Sequence, residues 1–219
     1  MIYRPFTFAT VILTTLLQAC ASPAPTPEPG MEVLQYGRNE EMQVAPGVDW
    51  NRYNKIILHT APVEFRENWK RDQERLQRIT FREEDLERYK TAVSDQYGKV
   101  MYKKLSAWDG YELTDESGAG VMRFLPRIVD LDIKAPGWVQ GAMIESMVNS
   151  KGNLTFELVI RDSETDELLA VAWQHQSDPQ EGYLEMTNTV NNTVAFRLMM
   201  QLWADWLIEQ LEKAGEPRQ

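Results

Sequence analysis

The sequence predicts an α+β fold, a mostly antiparallel sheet of about five strands packed against two long helices, in the order strand, helix, four strands, helix. Three observations predict it. Apolar residues recur three or four apart through residues 80–108 and again through 189–213, the spacing of one helical face. Leu154, Phe156, Leu158 and Ile160 alternate with polar neighbours, the spacing of one sheet face. Turn-forming clusters such as Asp109-Gly110 and Ser117-Gly118-Ala119-Gly120 separate these stretches.

Ahead of the domain, residues 1–19 read as an export signal, with Arg4 near the start, an apolar stretch over 6–17 and small residues after it. Thr7, Thr10, Thr14 and Thr15 interrupt the stretch and Gln18 ends it, short of the roughly 20 apolar residues that a bilayer span needs. Leu17-Gln18-Ala19-Cys20 resembles the lipobox of bacterial lipoproteins. The resemblance implies cleavage between Ala19 and Cys20 and a diacylglyceryl group on the Cys20 thiol. Cys20 is the only cysteine, and an anchor accounts for an exported lone thiol that could otherwise pair between chains. At about 0.8 kcal/mol per buried methylene, two or three acyl chains hold stably where one does not. Ala21 follows, and the lack of aspartate there resembles the pattern that sends lipoproteins to the outer membrane. The expectation is an anchor in the inner leaflet of that membrane and a domain in the periplasm. Pro23, Pro25, Pro27 and Pro29 then alternate, favouring an extended tether over residues 20–30 with a reach of about 30 Å. Residues 31–215 are expected to form one domain, with 216–219 as a tail.

Residues 31–50 show no clear period and are expected to wrap the domain edge. Lys55-Ile56-Ile57-Leu58-His59-Thr60 has the continuous apolar centre of a strand buried on both faces. A polar segment over 65–79 leads to Thr80-Phe81-Arg82-Glu83, which reads as a capping box opening the first long helix. Its apolar stripe is Leu86, Tyr89, Val93, Tyr97, Val100, Met101, Leu105 and Trp108. Strands follow at residues 111–114 and 121–134. In the second, Val129, Leu131 and Ile133 are expected on one face and Asp130, Asp132 and Lys134 on the other, while Pro126 suggests an edge or a bulge. The strand over 154–160 pairs with one carrying Leu169, Val171 and Trp173 through a polar turn, where Asp166 stands in for the glycine that a positive backbone dihedral prefers. The last helix is expected to bury Val194, Leu198, Leu202, Trp203, Trp206 and Leu211, and Arg197 and Asp205 exclude a membrane span.

Several of these segments carry a resemblance together: Tyr53-Asn54-Lys55-Ile56-Ile57-Leu58 with Ala61-Pro62-Val63, the strand Arg127-Ile128-Val129-Asp130, the hairpin from Glu157 through Asp162-Ser163-Glu164-Thr165-Asp166 to Ala170, and Trp203-Ala204-Asp205-Trp206. The chain resembles the uncharacterised bacterial lipoproteins grouped as domain of unknown function 3313. That resemblance implies a shared shape and no activity.

With 33 acidic against 23 basic residues and a net charge of −10, the chain is a poor match for nucleic acid, which needs clustered lysine and arginine. No cofactor is expected, since neither a phosphate-cradling glycine loop nor a nucleophile elbow is present. No metal is expected either. Asp162, Glu164 and Asp166 have the spacing of a calcium loop's start, but Glu167 and Trp173 occupy the positions for its glycine and bidentate glutamate, so a solvated turn is the stronger reading. Two histidines, His59 and His175, cannot make a three-histidine zinc site. Glu83, Glu84, Asp85 and Glu87 offset a helix dipole. The segment from 135 to 148 is apolar and methionine-rich, and Trp138, Met143 and Met147 form the candidate contact surface, because methionine adapts to varied partners. The expected function is a non-catalytic binding or assembly module of the bacterial envelope, touching the membrane through its lipid and a protein partner through that surface. The alternatives are an envelope hydrolase using His59 or His175, and a carrier of a small apolar ligand between sheet and helices.

Overall fold

Glu32–Tyr36 (β1) and Glu40–Val44 (β2) form an antiparallel hairpin within the stretch that shows no period in the sequence. The computed structural model describes residues 29–216, apart from 79, 134–136, 140, 141, 145, 149–151, 178–184 and 188, and apart from the side chains of 77, 137–148, 185–187 and 189–195. The expected export signal, Ala19, Cys20, most of the expected tether and the last three residues lie outside that description. A short 3-10 turn, Trp50–Arg52, precedes Lys55–Leu58 (β3) and Val63–Phe65 (β4). Two helices follow, Trp69–Gln77 (α1) and Glu83–Leu105 (α2), then Glu112–Leu113 (β5) and the long Val121–Ile133 (β6). Gly137–Val139 (β7), Ala142–Ile144 (β8) and Ser146–Val148 (β9) are short. Gly152–Asp162 (β10) and Leu168–Ser177 (β11) make the central hairpin, and Glu185–Thr187 (β12) and Thr189–Gly215 (α3) are the last regular elements among the described residues.

Eight strands share one sheet in the order β1-β2-β11-β10-β6-β3-β5, with β4 also on β6. The α+β class and the two long helices agree with the sequence, but the sheet is larger than five strands and mixed. β3, β4 and β5 run parallel to their neighbours, and only the ladders from β1 to β6 are antiparallel. The cause lies in the helical crossover through α1 and α2, which returns the chain beside β3 in the direction it left. Residues 31–50 therefore extend the sheet instead of wrapping its edge, because β2 finds a partner in β11.

Pro126 lies in an interior strand without breaking it. Phe124 O accepts from His59 N, and Ile128 N donates to Pro62 O, so even-numbered residues of β6 point their backbone groups toward β3 and β4. The missing N–H of Pro126 thus faces the break between those two strands, where no ladder bond is lost.

α2 and α3 cover the face that carries Phe156. The Phe156 ring stacks on Trp203 at 5.3 Å and meets Tyr97 at 6.0 Å. Leu154, Leu158, Ile160, Phe124 and Ile128 are buried around them. α2 starts at Glu83, and the capping pair is Arg82 with Asp85, whose Oδ2 accepts from Arg82 N at 3.1 Å. The expected box at Thr80 and Glu83 is displaced because Phe81 is buried against Trp69 and Tyr89, at 5.6 and 6.4 Å, which holds it outside the first turn. α1, within the segment expected to be merely polar, anchors through Trp69, which stacks on Phe65 at 4.1 Å and donates Nε1 to Ile133 O at 2.7 Å.

Three expected faces are corrected. Asp130, at φ 51°, is an extra residue in β6: Asp132 faces Asn153, yet Val129 faces Thr155. The bulge switches the alternation, so Ile128, Leu131 and Ile133 are buried and Val129 turns to the other side. In β11, Ala170, Ala172 and Gln174 lie on the helix side while Val171 and Trp173 face away. Alanines there let α3 approach the sheet closely. On α3, Leu202 is 47% exposed, and the buried stripe is Phe196, Met199, Met200, Trp203, Leu207 and Leu211. Trp108 lies past the end of α2, stacked on Tyr111 at 3.9 Å.

Candidate functional site

The most perturbed carboxylate of the described residues belongs to Asp162, at the end of β10, and the local fold explains it. Its Oδ1 accepts from the backbone amides of Glu164 (2.9 Å) and Thr165 (3.0 Å), closing the hairpin turn. Its Oδ2 accepts from Tyr53 Oη at 2.8 Å and from the Arg52 guanidinium. Residues Trp50–Arg52 and Tyr53 are delivered there by the 3-10 turn, whose cap is Asp49 accepting from Asn51 N. Gly120, at φ 74°, brings its loop so close that an added Cβ would meet Arg52 O at 2.8 Å. Asp162 is 2% exposed. Burial by itself would raise its carboxyl, but the two amides, Tyr53 and Arg52 outweigh it and hold it well below the usual carboxylate range. Burial, then the bond to Asp162, pushes the Tyr53 hydroxyl up to about 12. These groups are spent on each other and on the turn, so the node locks the hairpin to the 3-10 turn.

The calcium-like spacing is used in the same way. Asp166 takes φ 62°, as its place in the turn required, and pairs with Arg123 and Arg161. Asp162 is buried in its node, where the sequence suggested a solvated turn. Its signal was an aspartate at the first position of a turn, a residue type that bonds to amides two and three residues on.

The two histidines stay apart. His59 follows β3 and His175 lies in β11, with β6 and β10 between them, so about 14 Å of sheet separates their strands. His59 is exposed, and His175 Nδ1 lies 3.1 Å from Thr155 Oγ1. Between sheet and helices, the place an apolar ligand would need, Tyr97, Phe156 and Trp203 stack together and Met101 and Met200 are buried. Burial pushes the Tyr97 hydroxyl well above the ordinary tyrosine range.

The far face of the sheet is different in kind. Leu125, Val159 and Val171 stand side by side across three strands and are each partly exposed. One flank is Arg123 with Arg161; the other is Arg127, Glu157 and Trp173, with Arg127 bonded to Glu64 at 2.7 Å and paired with Glu157 at 3.3 Å. Sequence reading missed this row because it placed Val171 on the core face. Trp138 pairs in register with Met143 across β7 and β8, and Met147 with Met186 across β9 and β12. The side chains of all four lie outside the described residues. Among the described residues, no group of three histidine, cysteine or acidic side chains could hold a metal ion, and no helix is long and apolar enough to cross a membrane.

Fold and site define a class: an eight-stranded mixed sheet backed by helices, with its strongest electrostatic node committed to architecture. The sequence profile of the family described as "Protein of unknown function (DUF3313)" matches residues 41–207, and the chain belongs to that family. A comparison with curated proteins gives no match. Among solved structures, a PelC dodecamer from Paraburkholderia phytofirmans is similar at 6% identity and a TM-score of 0.35, over 74% of this chain and 94% of that one. A minor lipoprotein from Acinetobacter baumannii is similar at 15% identity and a TM-score of 0.32, over 74% and 94%.

Proposed function

We propose that this protein is a lipid-anchored binding or assembly module of the bacterial envelope, with no chemistry of its own. Cys20 carries the lipid, the proline-rich segment lifts the domain from the inner leaflet of the outer membrane, and the domain meets a protein partner in the periplasm. The observation that carries the reading is the row Leu125, Val159 and Val171, an apolar strip left partly open on the far face and bordered by arginines and Glu157. Apolar area kept at a surface is typical of interaction sites, and the arginine border favours a partner with an acidic rim. Trp138, Met143 and Met147 are proposed to extend the contact. The hydrolase alternative, using His59 or His175, has less support, since His59 is exposed and His175 Nδ1 meets Thr155 Oγ1 at 3.1 Å.

Cross-linking in intact envelopes tests the module. Val159→Lys with Val171→Lys should abolish partner capture while shifting stability by less than about 1 kcal/mol, as at other partly exposed positions. Replacing Trp138, Met143 and Met147 by serine should weaken capture without unfolding. Capture unchanged in both variants would overturn the proposed surface.

A further inference from the structure

α2 and α3 run in the same direction, since Lys104 pairs with Asp205 and Trp108 Nε1 donates to Glu212 one to two turns further on. Between them on the outer surface lies an open groove of about 620 Å³, lined by Val100, Lys103 and Ala107 on one side and Leu198, Leu202 and Asp205 on the other. Leu202 on its wall is 47% exposed. Lys104 spends its charge on Asp205. Lys99, one turn before Lys103, Lys103 itself and Arg197, one turn before Gln201, are exposed and have no acidic partner among the described residues. In a chain of net charge −10, these three cations reverse the local sign.

The position of the groove relative to the tether adds a second constraint. Glu32 shares a depression with Ala214, Gly215 and Glu216, so the tether joins the domain beside the C-terminal end of α3. Leu202 lies about 18 Å along the helix axis from there. A tether reaching about 30 Å therefore lets the groove lie flat on the surface that holds the lipid.

We propose that this groove rests on anionic phospholipid headgroups. Lys99, Lys103 and Arg197 meet the phosphates, while Leu202 enters the boundary with the acyl chains, the arrangement of interfacial amphipathic surfaces. Three cations bind weakly alone, but a tether converts the contact into an intramolecular one at high effective concentration. Docking by the helices turns the far face of the sheet away from the membrane, toward a partner. The inference rests on the lipid-anchor reading, and the experiment separates the two.

Once Cys20 is lipidated, Ala107→Cys supplies a single labelling site. The full lipidated chain carrying a fluorophore there is reconstituted into vesicles of phosphatidylcholine, with or without phosphatidylglycerol, that contain a headgroup nitroxide quencher. Flotation with the neutral vesicles reads the anchor alone. Quenching reads the groove: it should be severalfold stronger with phosphatidylglycerol and fall to the neutral level in about 0.5 M salt, where screening acts within about 5 Å. Lys99→Gln with Lys103→Gln should abolish the difference at an unchanged melting temperature, and a label at Glu157 on the far face should stay unquenched. Equal quenching on both vesicle types, or quenching untouched by the two substitutions, would overturn the proposal. A chain that fails to float with neutral vesicles yet shows quenching dependent on phosphatidylglycerol would overturn the anchor reading and leave the groove standing.

Discussion

At the scale of single residues, Asp162 carries the largest consequence. Its carboxylate receives four donors in a buried position, so removing its charge leaves the Tyr53 hydroxyl and two amides with a poorer acceptor. Asp162→Asn should cost about 3 kcal/mol near neutral pH, the scale of breaking a buried charged pair. The sign with pH follows from the shift. Unfolded, the group ionises near about 3.9; folded, it ionises well below that. Its contribution is therefore complete above the unfolded value and is lost as pH falls toward the folded one. Urea melts of both proteins should differ most at neutral pH and converge progressively below about pH 4. A difference that persists unchanged into acid would show that the charge does not matter. On the alkaline side, the Tyr53 hydroxyl, pushed up to about 12, stabilises fully below its unfolded value, and that support fades as pH rises toward about 12.

At the scale of elements, the bulge at Asp130 decides which residues of β6 reach the core. An aspartate at φ 51° tolerates the left-handed region better than most residues but less well than glycine. Asp130→Gly should hold or raise stability by up to about 1 kcal/mol, and Asp130→Val should lower it by about 1 to 2 kcal/mol. Inserting one alanine after Asp130 is a harsher test. It would turn Leu131 and Ile133 onto the far face while their core sites emptied. Thermal melting of the three variants should rank them glycine, wild type or nearly so, valine, with the insertion failing to fold. An insertion variant that melts like wild type would refute the role given to the bulge.

At the scale of the whole molecule, the proposed anchor, tether and helix groove would place the far face of the sheet away from the membrane. Cys20→Ala removes the only cysteine, and on the proposed anchor the protein should move from washed membranes to the soluble fraction with its melting temperature unchanged. Its retention in membranes at high salt would count against the lipid.

The sequence by itself determined the α+β class, the presence and approximate place of both long helices, the central hairpin with its positive dihedral at Asp166, and the family resemblance. All of these rest on local periodicity and turn chemistry, which a chain expresses without reference to distant residues. Only the tertiary structure decided that residues 31–50 join the sheet through β11, that β3 to β5 pair in parallel, and that Val171, Trp173 and Leu202 face outward. Alternation says that two faces exist and does not say which one the helices cover, and one bulge at Asp130 reverses the answer midway along a strand. The Asp162 node was illegible for the same reason: Arg52 and Tyr53 lie about 110 residues away from it, and only the closing of the sheet brings their donors to one carboxylate.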